Sequence, residues 1–104
     1  MPNNLTKRQI IQTVYEGKNC KQEDVRQIVQ ETLNLISDTL AEGRGIELRN
    51  FGIFELQVRK ARVGRNPKNP GTELVIPRRV AVKFKPGKNL REKLELLDLD
   101  ELSS

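Results

Sequence analysis

Residues 51–86 read FGIFELQVRKARVGRNPKNPGTELVIPRRVAVKFKP and contain the pattern from which the architecture follows. Apolar residues occupy every second position in 54–58 and again in 80–84, the period of half-buried β-strands. Between them, residues 59–79 are rich in basic residues, poor in apolar ones and interrupted by Gly and Pro. We expect this segment, the arm, to be a long β-ribbon that projects into solvent, turns around Pro67 to Gly71 and is mobile without a ligand.

A further strand and a turn precede this pattern. Ile46 and Leu48 alternate with charged residues, which predicts a third strand, and residues 50–52 predict a tight turn into the next one. Together the three strands form an antiparallel sheet. We expect the chain's three Phe residues to pack in the core, because they alternate with polar residues, and not to form a base-stacking platform.

Helices flank the sheet on both sides in the sequence. Thr6 and Gln9 have the spacing of a capping box that opens a first helix, which Gly17 ends. A second helix is expected from about Gln22 to Glu42. Its apolar stripe is wider than one contact needs, and Gly43 and Gly45 both fit a left-handed C-cap.

Three smaller features are the start of the second helix, the single cysteine and the C-terminus. Asn19 and Lys21 are rival N-caps for the second helix, and only Asn19 has a suitable side chain. Cys20 is expected to be a small buried apolar residue. Leucines at 90, 94 and 97 predict a short C-terminal helix, after which residues 98–104 are expected to fray.

Charge is distributed unevenly along the chain. Of the 19 Lys and Arg, twelve lie in residues 58–93 with only two acidic residues, whereas residues 1–43 are close to neutral. From residue 95 onward every charged residue is acidic. The formal charge is +5, and most of the positive charge lies in one third of the molecule. This distribution indicates a surface that binds a polyanionic partner, and it is not explained by a charged face that only contacts solvent.

Several function classes are excluded or disfavoured. With no His, the chain has no His-based metal site and no Ser/His or Cys/His nucleophile pair. No acidic pair suggests acid–base catalysis, so we expect no enzyme activity, no cofactor and no small-molecule substrate. A single Cys, no long apolar run and no signal peptide predict a cytoplasmic protein with no membrane partner.

Three motifs carry a family resemblance. NFGIFE at 50–55, GRNPKNPG at 64–71 and FKPGKNLRE at 84–92 resemble the signatures of the bacterial HU and integration-host-factor family, in that family's order. The likeness covers about residues 5–93. It implies an α+β fold of two N-terminal helices, a three-stranded antiparallel sheet with a protruding β-ribbon arm and a short C-terminal helix, in an intertwined dimer. It implies a single DNA-binding domain over 1–94, followed by an acidic tail over 95–104.

The resemblance also implies roles by position. Pro67 matches the arm-tip proline that wedges between base pairs, and Arg65 and Asn66 match residues that enter the minor groove of double-stranded DNA. The other expected DNA-binding residues are basic ones on the arm, at its tip, beside the sheet and at the start of the first helix: Arg59, Lys60, Arg62, Lys68, Arg78, Arg79, Lys85, Lys88, Arg91 and Lys7. A proline ring suits a wedge, because it is rigid, apolar and has no N–H to bury.

The sequence departs from the family at three points. The arm tip is one residue longer and holds a second proline, Pro70, which can share or contest the role of Pro67. Asn50 replaces a glycine often found there, and Lys21 replaces the usual hydroxyl cap of the second helix.

The sequence is compatible with more than one function. The leading interpretation is a histone-like protein of the bacterial nucleoid that bends and condenses DNA with low sequence specificity, as a homodimer or as a heterodimer with a paralogue. A sequence-preferring subunit like integration host factor is the nearest rival, and a basic RNA-binding protein or a scaffold is further away. The acidic tail is either solubilising or folds against the basic flank of the sheet and weakens DNA binding.

Overall fold

The computed structural model describes residues 3–66 and 68–103, except for the side chains of Arg65, Asn66, Pro70 and Ser103. It confirms the α+β fold. The elements in chain order are α1 (Lys7–Tyr15), α2 (Gln22–Ala41), β1 (Ile46–Leu48), β2 (Gly52–Arg59), β3 (Arg62–Asn66), β4 (Asn69–Ile76), β5 (Arg79–Pro86), α3 (Lys88–Leu94) and α4 (Leu99–Ser103).

The capping box at the start of α1 is confirmed. The Thr6 hydroxyl accepts from the Gln9 amide at 3.3 Å, and the Thr6 amide donates to the Gln9 side chain at 3.0 Å. Two N–H groups that the helix leaves without a partner are thereby satisfied. Gly17 follows the helix end with a φ of +74°, a left-handed conformation that glycine adopts without strain.

The ends of α2 settle two open points. Lys21 is the N-cap but forms no side-chain capping bond, and acidic residues in the first turn, Glu23 and Asp24, complement the helix dipole instead. At the other end Gly43 has a φ of +87°, whereas Gly45 is outside the left-handed region, so the C-cap prediction is wrong for Gly45. Gly45 permits close approach instead, because a Cβ there would lie 3.1 Å from the carbonyl oxygen of Phe54.

The main sheet has the strand order β1–β2–β5 and is antiparallel throughout, as expected. Phe54 pairs with Phe84 across β2 and β5, with ring centroids 4.9 Å apart, and Phe51 lies 5.3 Å from Phe84. The rings therefore pack on one another, as predicted, but Phe51 and Phe84 are 48% and 37% exposed in the single chain, so burial of the rings in a core is not shown. Asn50 enters the turn with a φ of +68°, a value that Asn tolerates better than most residues, and this explains how it can replace glycine.

The arm forms a second, separate sheet of β3 and β4. Pairing stops after Arg59 and Arg79 and resumes at Arg62 and Ile76, and the interruption contains Pro77, which cannot donate to a ladder. Asn66 pairs with Asn69, after a register shift at Arg65 and Asn66. The expected turn at 67–71 is therefore too wide, because residues 69–71 belong to β4.

Two predictions near the chain's loops are wrong. Cys20 is exposed, because it lies in the bend before α2 and outside the apolar stripe. The tail is not simply frayed, since residues 99–103 form α4. The Asp98 carboxylate accepts from the amides of Asp100 at 3.0 Å and Glu101 at 3.3 Å and so caps this helix.

A single chain does not close its own core. Among the described residues only Ile11 and Val25 are buried apolar side chains, while Ile28, Leu35, Val58 and Val80 are each more than 60% exposed. The accessible surface is 9371 Å², against about 5900 Å² for a compact monomer of this mass. The radius of gyration is 19.1 Å, against about 13 Å for a compact domain of this length.

Candidate nucleic-acid interface

The arm extends into solvent along its described length. No residue described in the sheet of β3 and β4 is buried, and Val63 and Val75, which pair across the ladder, are 62% and 76% exposed. With so few apolar side chains the arm gains little by packing on its own chain. The structure thus confirms a protruding ribbon.

Four cations surround the base of the arm. Arg59 and Arg79 are directly opposite each other on β2 and β5, and Lys60 and Arg78 line a shallow depression with Val58 and Ala61. All four are exposed, and none of them forms an ion pair with another described residue. Like charges facing each other across a ladder are unfavourable, so this base is stabilised when an anion lies against it.

The first residue pair of the arm ladder adds one described cation. Arg62 begins β3, pairs in register with Ile76 and is exposed. It is separated from Arg59 only by the interruption at 60–61, so the cationic surface continues from the main sheet onto the arm.

The tip can be described only in part. Pro67 lies outside the described residues, and so do the side chains of Arg65, Asn66 and Pro70. The backbone pairs Arg65 with Glu73, and Lys68 is exposed between the two strands. Their expected contacts with DNA stay predictions.

One face of the main sheet carries further cations. Register puts Lys83 and Lys85 with Arg79 on the face opposite the Phe cluster, because residues two apart on a strand share a face. Lys85 is already paired, with its ammonium 3.0 Å from the Glu55 carboxylate. Lys83 was not among the predicted site residues, although its spacing from Lys85 was a signal that could have identified it.

The remaining predicted cations lie on helices. Lys88 and Arg91 are exposed on α3, which packs against β5, so they flank the main sheet. Lys7 begins α1, and its ammonium donates to the Gln30 side chain of α2 at 2.5 Å. Lys7 therefore bridges the two helices, and its expected role in DNA binding has no support from this geometry.

The arrangement of exposed cations can bind a polyanion. The described residues contain no group of His, Cys, Asp or Glu that could hold a metal ion, and no helix among them is long and apolar enough to cross a membrane. What remains is a row of exposed cations that runs from α3 over the sheet face and along the arm.

Comparison with known proteins yields one family. The sequence model of the family "Bacterial DNA-binding protein" matches residues 5–95. The chain is 38% identical over 91 residues to the probable DNA-binding protein HU of Chlamydia trachomatis, covering 88% of this chain and 91% of that protein. It is 41% identical over 91 residues to the integration host factor subunit beta of Halorhodospira halophila, covering 86% and 88%.

Solved structures agree with these relatives. HU of Anabaena, in a cocrystal with DNA, is 30% identical and superposes with a TM-score of 0.80, covering 89% of this chain and all of that one. A point mutant of HU from Thermotoga maritima is 33% identical, with a TM-score of 0.61, covering 86% and 99%.

Proposed function

The chain belongs to the bacterial DNA-binding protein family of HU and integration host factor, a family of architectural proteins and not of enzymes, and from this premise we propose how it acts. It grips double-stranded DNA with its arm in the minor groove, bends the duplex by inserting Pro67 between base pairs, and does so with low sequence specificity. This activity makes it a nucleoid-associated protein of the bacterial cytoplasm.

The observation that carries the proposal is the exposed, cation-lined arm. The cations at its base, Arg59, Lys60, Arg78 and Arg79, have no carboxylate partner in the described chain and face solvent. Each phosphate they neutralise releases condensed counterions, which is the main source of sequence-independent affinity for DNA. Arg residues in particular favour a narrow minor groove, where the negative potential is enhanced.

We infer the wedge from family membership, since insertion of a side chain at the minor groove is a known property of HU and integration host factor. Two local features support it here. The strands pair up to Asn66 and Asn69, and Pro67 lies between these two residues in the sequence. Pro70 belongs to the paired strand β4, so we assign the wedge to Pro67 and not to Pro70.

We propose that the working unit is a homodimer. The accessible surface exceeds that of a compact monomer by more than about 3000 Å², and exposed aliphatic side chains recur on α2 and on the sheet. A permanent dimer interface buries about 2000–5000 Å² in total, so one partner copy is sufficient to cover much of this apolar surface. A heterodimer with a paralogue satisfies the same requirement.

One rival has specific support. The similarity to an integration host factor subunit beta, 41% identical over 91 residues, supports a sequence-preferring subunit as the second candidate. Binding of random duplexes in competition with selected ones separates the two, since a reproducible consensus contradicts low specificity. An RNA-binding role has less support, because the three Phe rings pack together and do not form an open stacking platform.

A bending assay tests the wedge. A duplex with a fluorophore at each end reports its end-to-end distance by energy transfer, for the wild type, Pro67→Ala, Pro70→Ala and the double variant at saturating protein. We expect Pro67→Ala to reduce the bend and Pro70→Ala to leave it nearly unchanged. An unchanged bend in the double variant contradicts proline insertion, and a loss confined to Pro70→Ala assigns the wedge to the second proline.

A further inference from the structure

The C-terminal segment 94–103 exposes more apolar surface than a solubilising tail requires. Leu96 and Leu99 are 86% and 76% exposed, and Leu94 and Leu97 are 44% and 47% exposed. Carboxylates are interspersed with them, and the segment after Lys93 has no basic residue. Exposed leucines clustered on a short segment indicate a docking surface.

The segment also has a defined shape. The Asp98 carboxylate caps α4, whose Leu99 and Leu102 are three residues apart and share one face of the helix. A helix of five residues is not stable in water by its own hydrogen bonds. No helix or strand of the described chain packs extensively on α4, so its stability calls for a partner outside this chain.

A groove on the same molecule has the complementary chemistry. It is lined by Leu40 and Ala41 of α2 and by side chains of the main sheet. The sheet residues form two cross-strand pairs, Leu56 with Val82 and Val58 with Val80. The three valines are at least half exposed.

The groove ends in positive charge. Val58 also borders the depression at the arm base, whose other lining residues are Lys60, Ala61 and Arg78. An apolar trough that leads to two cations suits a ligand in which leucines and carboxylates are interspersed. Residues 95–102 have this composition.

We propose that the C-terminal segment of one chain docks in this groove on a second copy of the chain. Leu96, Leu99 and Leu102 lie along the aliphatic trough, and the carboxylates of Glu95 and Asp98 face Lys60 and Arg78. The segment thereby adds apolar contacts between copies and covers Lys60 and Arg78, two of the cations to which the proposed function assigns phosphate contacts.

Isotope-mixed samples test the proposal without DNA, so its failure is distinct from a failure of DNA binding. Full-length chains labelled with ¹⁵N, in a Cys20→Ser background, are refolded with unlabelled chains that carry Cys20→Ser and a nitroxide on Ser103→Cys. Only a second copy can then broaden the ¹⁵N amide signals. We expect loss of the signals of Val58, Val80 and Val82.

Two variants of the unlabelled chain complete the test. The substitutions Leu96→Ser and Leu99→Ser together are expected to restore the signals. The matched control Leu5→Ser, at a leucine that is 68% exposed but far from the segment in sequence, leaves them broadened. The proposal is overturned if the groove amides stay sharp, if broadening falls instead on Lys88 to Lys93, or if the double leucine variant broadens them as the parent does.

Discussion

Replacing Arg62 by Ala isolates the electrostatic part of the proposed interface. Arg62 begins β3, is exposed and forms no ion pair with another described residue. The substitution therefore removes a cation without leaving a buried group unsatisfied, and we expect the free energy of unfolding to change by less than about 0.5 kcal/mol.

The expected effect on DNA binding follows from counterion release. If a dimer neutralises about eight phosphates, the plot of log affinity against log salt concentration has a slope near about −7. Loss of one contact per chain, or two per dimer, makes that slope shallower by about 1.8. Between about 50 and 200 mM salt, the variant's affinity deficit relative to wild type then shrinks by about twelvefold.

Fluorescence anisotropy of an end-labelled duplex measures this slope across a salt series. The matched control is Arg26→Ala on α2, an exposed arginine whose guanidinium lies 3.7 Å from the Glu23 carboxylate and away from the arm. Its slope is expected to equal that of the wild type. Parallel lines for Arg62→Ala and wild type, or an equal change in Arg26→Ala, would refute the assignment of phosphate contacts to the arm.

Two further predictions concern the fold and the assembly. A Cβ at Gly52 would lie 2.6 Å from the Lys85 carbonyl oxygen and from the Phe84 ring, so Gly52→Ala should lower the free energy of unfolding by about 1–3 kcal/mol in urea titrations. The control Gly71→Ala, where an added Cβ would meet no atom within 4 Å, should change it by less than about 0.5 kcal/mol, and equal effects contradict the steric argument. Because a dimer is stabilised by mass action, tenfold dilution should lower its stability by about 1.4 kcal/mol and reduce the Tm seen by circular dichroism, whereas a concentration-independent Tm contradicts dimerisation.

Periodicity was sufficient to predict the elements that pack. The period of two in 54–58 and 80–84 placed β2 and β5, and the spacing of apolar residues placed α2 to within one residue at its end. Such patterns are informative because each buries a continuous apolar face. The capping box at Thr6 was predictable for a different reason, since both of its hydrogen bonds are local.

Features that depend on close approach or chain pairing were not predictable. Gly45 resembles a C-cap in sequence, but its role follows from the nearby backbone of Phe54 in another element. The narrow arm tip depends on how Asn66 registers with Asn69, and a proline at 70 suggests a wider turn. Periodicity alone also missed the cap on α4, which a single carboxylate, Asp98, provides.

Hydrogen–deuterium exchange of the arm amides, measured with and without duplex DNA, tests the central claim most directly. A two-stranded ribbon without a packed face is only marginally stable in water, so amides of Val63, Leu74 and Val75 should exchange rapidly in the free protein while those of Phe54 and Phe84 remain protected. A saturating duplex should slow exchange in the arm and leave the main sheet unchanged. Slow exchange in the free arm, or exchange unaffected by DNA, would contradict the claim that the arm does not pack on its own chain and binds double-stranded DNA.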